Sequence, residues 1–240
     1  MQYYVGTSGW YYKHWKEHFY PSELFNNKWL TYYSDRFSTV ELNNSFYRLP
    51  PEMAITNWYN STPSNFSFAV KVSRFITHTK RLRGVAESIN KFISRIQLFG
   101  TKLGPLLYQL PPMLKRDDSL LKSFLHLLPN DIKHAIEFRH HSWFDDTIFA
   151  TLGEHKIGFC IYDMPGITCP LIVTTDFAYV RFHGHTSLYN SNYSNEELRG
   201  WARRFVNLAE QIQEMYIYFN NDIEGFSVLN AMTLHQYLTS

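Results

Sequence analysis

Residues 179–183 read Tyr179-Val180-Arg181-Phe182-His183, with Arg181 and His183 on one parity and Val180 and Phe182 on the other. Alternate residues of a β-strand point to opposite faces, so this run has one apolar face and one that ends in charge. The pattern recurs at 39–43, where Glu41 and Asn43 oppose Val40 and Leu42, and at 135–139, where Glu137 and Arg139 oppose Ile136 and Phe138. At 216–222, Tyr218, Asn220 and Asp222 oppose Ile217 and Phe219. In a closed barrel one parity packs against surrounding helices and the other faces the interior. Polar groups gathered at strand ends on the interior parity therefore mark a barrel mouth.

Outward from these runs, short apolar segments at 3–7, 39–43, 66–72, 104–110, 134–138, 158–162, 178–182 and 215–219 read as strands. Helical patterns fall between them at 25–36, 52–60, 85–99, 119–128, 147–155, 195–214 and 226–238. Strict alternation implies parallel strands, because parallel neighbours need a long crossover that is usually a helix. Eight such units in 240 residues predict an α/β protein with a (β/α)8 TIM-barrel fold, one domain over residues 1–240. Prolines 165 and 170 break the segment between Tyr162 and Ala178, so the β6–β7 connection is expected to be irregular and to lack a full helix. No GxGxxG follows the first strand, which sets aside an open doubly wound sheet.

The composition, 45% hydrophobic and 18% charged, excludes a disordered chain, a coiled coil and a collagen-like fibre. A net charge of +2 and a pI near 8.4 fall short of a dedicated nucleic-acid binder, so any polyanion must be met by a local patch. Cys160 and Cys169 form no CxxC pair; reduced thiols and a cytoplasmic setting are the expectation. No basic leader and no long apolar window is present, so no membrane contact is expected. The sequence carries no sign of an oligomeric state.

Several motifs occur in order along the chain. They are Gly6-Thr-Ser-Gly-Trp10, Glu41-Leu-Asn-Asn-Ser-Phe-Tyr-Arg-Leu-Pro50, Phe68-Ala-Val-Lys71 with His78, and Gln109-Leu-Pro-Pro112. Glu137-Phe-Arg139 with Trp143, Arg181-Phe-His-Gly184 and Tyr218-Phe-Asn-Asn-Asp222 follow. Together they resemble the DUF72, or YecE-like, family of unknown function. The resemblance implies a TIM barrel and a site at its mouth, and brings no catalytic assignments.

From the residues themselves, Glu41, Glu137, His183 and Lys71 are the catalytic candidates, with Glu137 as general base and His183 as its acid partner. Lys71 at the end of β3 is a candidate imine-forming amine. Glu41 opposes the pKa depression that role needs, so Lys71 is assigned as an electrostatic anchor. Trp10, Asn43, Tyr47, Arg48, His78, Gln109, Arg139, Trp143, Arg181, Asn220, Asn221 and Asp222 are the candidate ligand contacts. Residues 71–83 carry Lys71, Arg74, Lys80, Arg81 and Arg83 beside His78, a patch that would focus an anionic small molecule, above all one carrying phosphate. The alternatives are a nucleic-acid strand gripped by this loop and rim aromatics such as Trp10, Tyr12 and Trp15, and a loop that is merely solvated. Glu41, Glu137, Asp163, His183 and Asp222 are metal-ligand types, but Lys71, Arg139 and Arg181 compete for those carboxylates; neither a metal nor a cofactor is assigned. Trp58 and Trp201 sit on helical patterns and are assigned to the core.

Overall fold

The computed structural model describes residues 1–239. Eight parallel strands follow in chain order: β1 (Gln2–Thr7), β2 (Thr39–Leu42), β3 (Ser67–Lys71), β4 (Leu103–Gln109), β5 (His134–Glu137), β6 (Ile157–Asp163), β7 (Phe177–Phe182) and β8 (Glu214–Phe219). They form one sheet in the order β1-β8-β7-β6-β5-β4-β3-β2. This is a nearly closed TIM-barrel-like α/β fold, as the alternation requires.

Strand parity sorts the two cores. Val40, Leu42, Val70, Ile136, Phe138, Val180, Phe182, Ile217 and Phe219 are buried in the large outer cluster beneath the helices. Ala69, Leu107, Ala135, Cys160, Tyr179, Tyr216 and Tyr218 form a separate inner cluster within the barrel. The inner residues are small on β3 and β5 and large on β7 and β8, which leaves room for charged side chains above them.

The seam between β1 and β2 is closed by a side chain rather than a strand ladder. The Tyr33 hydroxyl accepts from the Thr7 amide at 3.0 Å and donates to the Thr39 carbonyl at 3.1 Å. Gly6 makes this approach possible, since a Cβ there would lie 2.4 Å from the Thr39 oxygen.

The helices are α1 (Trp29–Ser34), α2 (Asn44–Tyr47), α3 (Glu52–Asn60), α4 (Ala86–Ile96), α5 (Asp118–Leu125), α6 (Asp146–Glu154), α7 (Asn195–Leu208) and α8 (Phe226–Thr239). Asp117 caps α5 by accepting from the Leu120 amide at 3.0 Å. Ser194 and Glu197 form a capping box at the start of α7. Two helices depart most from the sequence reading. Residues 25–36 give only a short α1 behind a 3-10 turn, Asn26–Lys28. Helix 195–214 stops at Leu208, because 209–211 tighten into a 3-10 turn and Glu214 already pairs with Gln2 and Phe177 in the sheet.

No helix lies between β6 and β7. The chain instead runs along β6, where the Thr174 hydroxyl accepts from the Phe159 amide at 2.8 Å and donates to the Ile157 carbonyl at 2.7 Å. Ile172 and Val173 pack on the outer core where a helix would sit.

Candidate functional site at the barrel mouth

Glu41 on β2, Glu137 on β5 and Arg181 on β7 meet in the lumen, all with 0% exposure. The Arg181 guanidinium donates to Glu41 Oε1 at 2.8 Å and to Glu137 Oε2 at 2.7 Å. Ser8 Oγ and the Tyr179 hydroxyl each donate to Glu41 at 2.7 Å. Arg139 pairs with the other Glu137 oxygen through Nε and reaches His183 Nε2 at 2.9 Å through a terminal nitrogen. The side-chain amide of Asn220 lies 3.1 Å from His183 Nδ1. Each buried charge thus has an opposite charge and further hydrogen bonds, the condition under which a buried ion cluster is tolerated.

This wiring sets the protonation states. Burial opposes ionisation of Glu137, yet Arg139 and Arg181 hold its carboxyl well below the usual range. Burial, with Arg181 and Arg139 close by, pushes His183 down to about 3, so its ring is neutral near pH 7. Burial and then Arg181 push Lys71 down to about 8 against the opposing pull of Glu137 and Glu41. Glu41 does oppose the depression, as the sequence reading held, but burial and Arg181 outweigh it.

Above the cluster opens a cavity of about 510 Å3 lined by Tyr12, His14, Asn43, Phe46, Tyr47, Lys71, Tyr189, Asn220, Asp222 and Ile223. Lys71 is half-buried, and its ammonium lies 4.3 Å from the centre of the Phe46 ring. The ammonium makes no ion pair or hydrogen bond to any other described residue, although the Lys71 carbonyl accepts from Ser45 Oγ at 2.7 Å. His78 packs edge-on against the far part of the same wall, 5.1 Å from Phe46, and burial followed by Lys71 pushes it down to about 4. Asp222 accepts from Trp15 Nε1 at 2.7 Å and pairs with His14 at 2.9 Å. Gln109 is half-buried at the end of β4, in register with Glu137.

The structure therefore gathers Glu41, Lys71, Glu137, Arg139, Arg181, His183 and Asn220 at one end of the barrel, with Asn43, Tyr47, His78 and Asp222 around them. Four assignments change. Trp143 is fully buried: its indole stacks on Phe138 at 4.7 Å and donates to the Leu114 carbonyl at 2.8 Å, so it pins the turn His141–Trp143 to the barrel rather than lining the mouth. Asn221 is fully buried and donates to the Ser191 carbonyl and Asn230 Oδ1, both at 2.8 Å, holding a loop to α8. Arg48 is exposed just after α2 and lines neither this cavity nor its neighbour. The pairing of Glu137 as base with His183 as acid lacks the geometry: both are sealed from the cavity, both Glu137 oxygens are taken by arginines, and His183 has no proton to give at Nε2, where it accepts.

Sequence reasoning missed Tyr179 and Ser8 as partners of Glu41. Tyr179 shares the parity of Arg181 two residues on, a signal that would have found it. The sequence reading placed Trp58 in the core, and Trp58 does pack against it, but half-buried, so that it also lines a second cavity with Trp10. Among the described residues no group of three or more His, Cys, Asp or Glu side chains is gathered as a metal-ligand set. No helix among them is long and apolar enough to cross a membrane.

A family profile described as "Protein of unknown function DUF72" matches residues 4–240. The chain belongs to the DUF72 family. Its DUF72 relatives include UPF0759 protein YunF of Bacillus subtilis, 28% identical over 98% of this chain and 94% of that protein. UPF0759 protein YecE of Escherichia coli is 29% identical over 47% of this chain and 42% of that protein. The crystal structure of a DUF72 protein of Thermotoga maritima superposes with a TM-score of 0.91 at 31% identity, covering 100% of both chains. A xylanase of glycoside hydrolase family 30 from Clostridium acetobutylicum, at TM-score 0.52 and 10% identity over 99% of this chain and 71% of its own, shares the barrel fold alone.

Proposed function

We propose that this DUF72 protein is an enzyme that binds a phosphorylated or otherwise anionic small molecule at the barrel mouth and acts on it by hydrolysis, isomerisation or elimination. The observation that carries this reading is the unpaired Lys71 ammonium on the cavity wall. Two carboxylates, Glu41 and Glu137, face three cations, Lys71, Arg139 and Arg181, and the carboxylates are consumed by the two arginines. Within this cluster the charge left unpaired is that of Lys71, and the carboxylate that shares its cavity, Asp222, is already engaged by His14, Trp15 and Ser227.

Burial first, and Arg181 of the cluster second, hold this amine at a depressed pKa against the pull of Glu137 and Glu41. Near pH 8 an appreciable share of Lys71 is neutral, so the same group that attracts an anion exchanges a proton with it. His14, Asp222 and the phenols of Tyr12, Tyr47 and Tyr189 are the other titratable side chains on the cavity wall. Isothermal titration with inorganic phosphate and with sugar phosphates tests the reading: binding is expected for the wild type and a loss of at least about tenfold for Lys71→Met. Equal binding by both proteins would refute it.

A second reading has an observation of its own. Arg48, Arg74, Lys80 and Arg81 are exposed near the mouth, with Tyr47 80% and Phe75 46% exposed among them, an arrangement suited to a nucleic-acid strand. Arg83 is tied to Asp117 instead. Affinity for a short oligonucleotide that falls steeply with salt, and is lost in an Arg74→Ala/Arg81→Ala double variant, would favour this second reading.

A further inference from the structure

A second cavity of about 580 Å3 adjoins the one that holds Lys71, and the two share Tyr12 and Asn43 as a common wall. Their chemistries differ. Leu42, Trp10, Tyr11 and Trp58 give the second cavity apolar and aromatic walls, while five asparagines with Ser8 and Ser61 supply hydrogen-bonding groups and no charged side chain lines it. Trp10 and Trp58 brace each other edge to face at 5.4 Å, which fixes the wall. Tyr11 is 55% exposed and holds Asn26 through its hydroxyl at 3.1 Å. At the partition, Asn43 Oδ1 is buried without any hydrogen-bond partner, while its Nδ2 reaches only the Ser8 carbonyl at 3.4 Å. A buried acceptor left unsatisfied is costly, so a polar group arriving at this partition would relieve it.

We infer that the two cavities form one bipartite site for a nucleoside monophosphate, with the phosphate at Lys71 and the base between Tyr11 and Trp58. The inference rests on the anion-binding reading of the mouth and extends it. An amide side chain offers a donor and an acceptor in one plane, the same complement that the edge of a heteroaromatic base presents. The aromatic faces of Tyr11 and Trp58 favour a flat ring, while the asparagines and serines around them would also serve sugar hydroxyls, so ribose 5-phosphate is the discriminating probe. A base would set its polar edge against the asparagines and gain stacking on the rings.

Isothermal titration at constant ionic strength with inorganic phosphate, ribose 5-phosphate, adenosine and AMP tests the assignment. AMP is expected to bind at least about tenfold more tightly than phosphate or ribose 5-phosphate. Trp58→Ala and Tyr11→Ala are each expected to remove that advantage while leaving phosphate affinity unchanged; Tyr11, on the surface, guards against a folding defect in the Trp58 variant. Ribose 5-phosphate binding as tightly as AMP, adenosine binding as tightly as AMP, or AMP affinity indifferent to both substitutions would overturn it. Those outcomes leave phosphate binding dependent on Lys71 intact. Phosphate binding that survives Lys71→Met would instead remove the anion site, and absence of any binding would remove both.

Discussion

Lys71 and His183 are perturbed in the same direction by burial, with opposite consequences for what each can do. Lys71, pushed down to about 8, is charged below that pH and loses its charge above it. Sulfate, a dianion throughout this range, is therefore expected to bind with constant affinity up to about pH 7 and progressively more weakly through pH 8 to 10. Titration calorimetry across that range checks it, and affinity that stays flat to pH 10 would contradict the depressed amine. His183, pushed down to about 3, takes up a proton on unfolding at any pH between that value and its ordinary value of 6.5. The unfolded state binds more protons there, so stability falls as pH drops below 6.5. Glu137, held well below the usual carboxylate range, adds a loss of the same sign once pH falls below its unfolded value. Melting temperatures are expected to decline from pH 7 to pH 4, and His183→Gln, which keeps an acceptor for Arg139, should flatten that decline by one proton's worth.

At the scale of elements, the β1–β2 seam depends on how closely two backbones approach. A methyl group at Gly6 would stand 2.4 Å from the Thr39 carbonyl and 3.0 Å from the Tyr33 hydroxyl that bridges the strands. Gly6→Ala is expected to destabilise the protein by about 1–3 kcal/mol in urea unfolding, the usual cost of forcing atoms into a filled space. Hydrogen exchange at Thr7, whose amide is bound by Tyr33, should rise with it. Most element positions were legible in the sequence because strand parity and helix caps are local. The short α1 and the early end of α7 were not: apolar periodicity continues past both ends, and only pairing of Glu214 with β1 and β7 stops the second. Trp143 was misplaced for a related reason. The turn His141–Trp143 folds back, so its indole stacks on Phe138 although it follows a strand end that faces the mouth.

Across the whole molecule, Arg181 ties β7 to β2 and β5 over the lumen, joining strands that are not neighbours in the sheet. Arg181→Met would leave Glu41 and Glu137 buried with one fewer cation, and a loss of about 3–5 kcal/mol is expected in urea unfolding. Because the tie spans the barrel, circular dichroism and emission from the buried Trp15, Trp29 and Trp143 should still fall together in the wild type. Separate transitions would mean that the two halves of the barrel unfold independently.

The sequence by itself determined that eight strands alternate with crossovers, which parity faces inward, and that acids, amides and guanidinium groups crowd the strand ends. All of these follow from short-range periodicity in the backbone. Only the tertiary structure decided that Arg181 and Arg139 consume the two buried carboxylates, that His183 is sealed and neutral, and that Lys71 is left unpaired on an open wall. Those outcomes depend on distances between residues up to 140 positions apart, as between Glu41 and Arg181. Such distances are set when the sheet curls round on itself, and no local pattern encodes them.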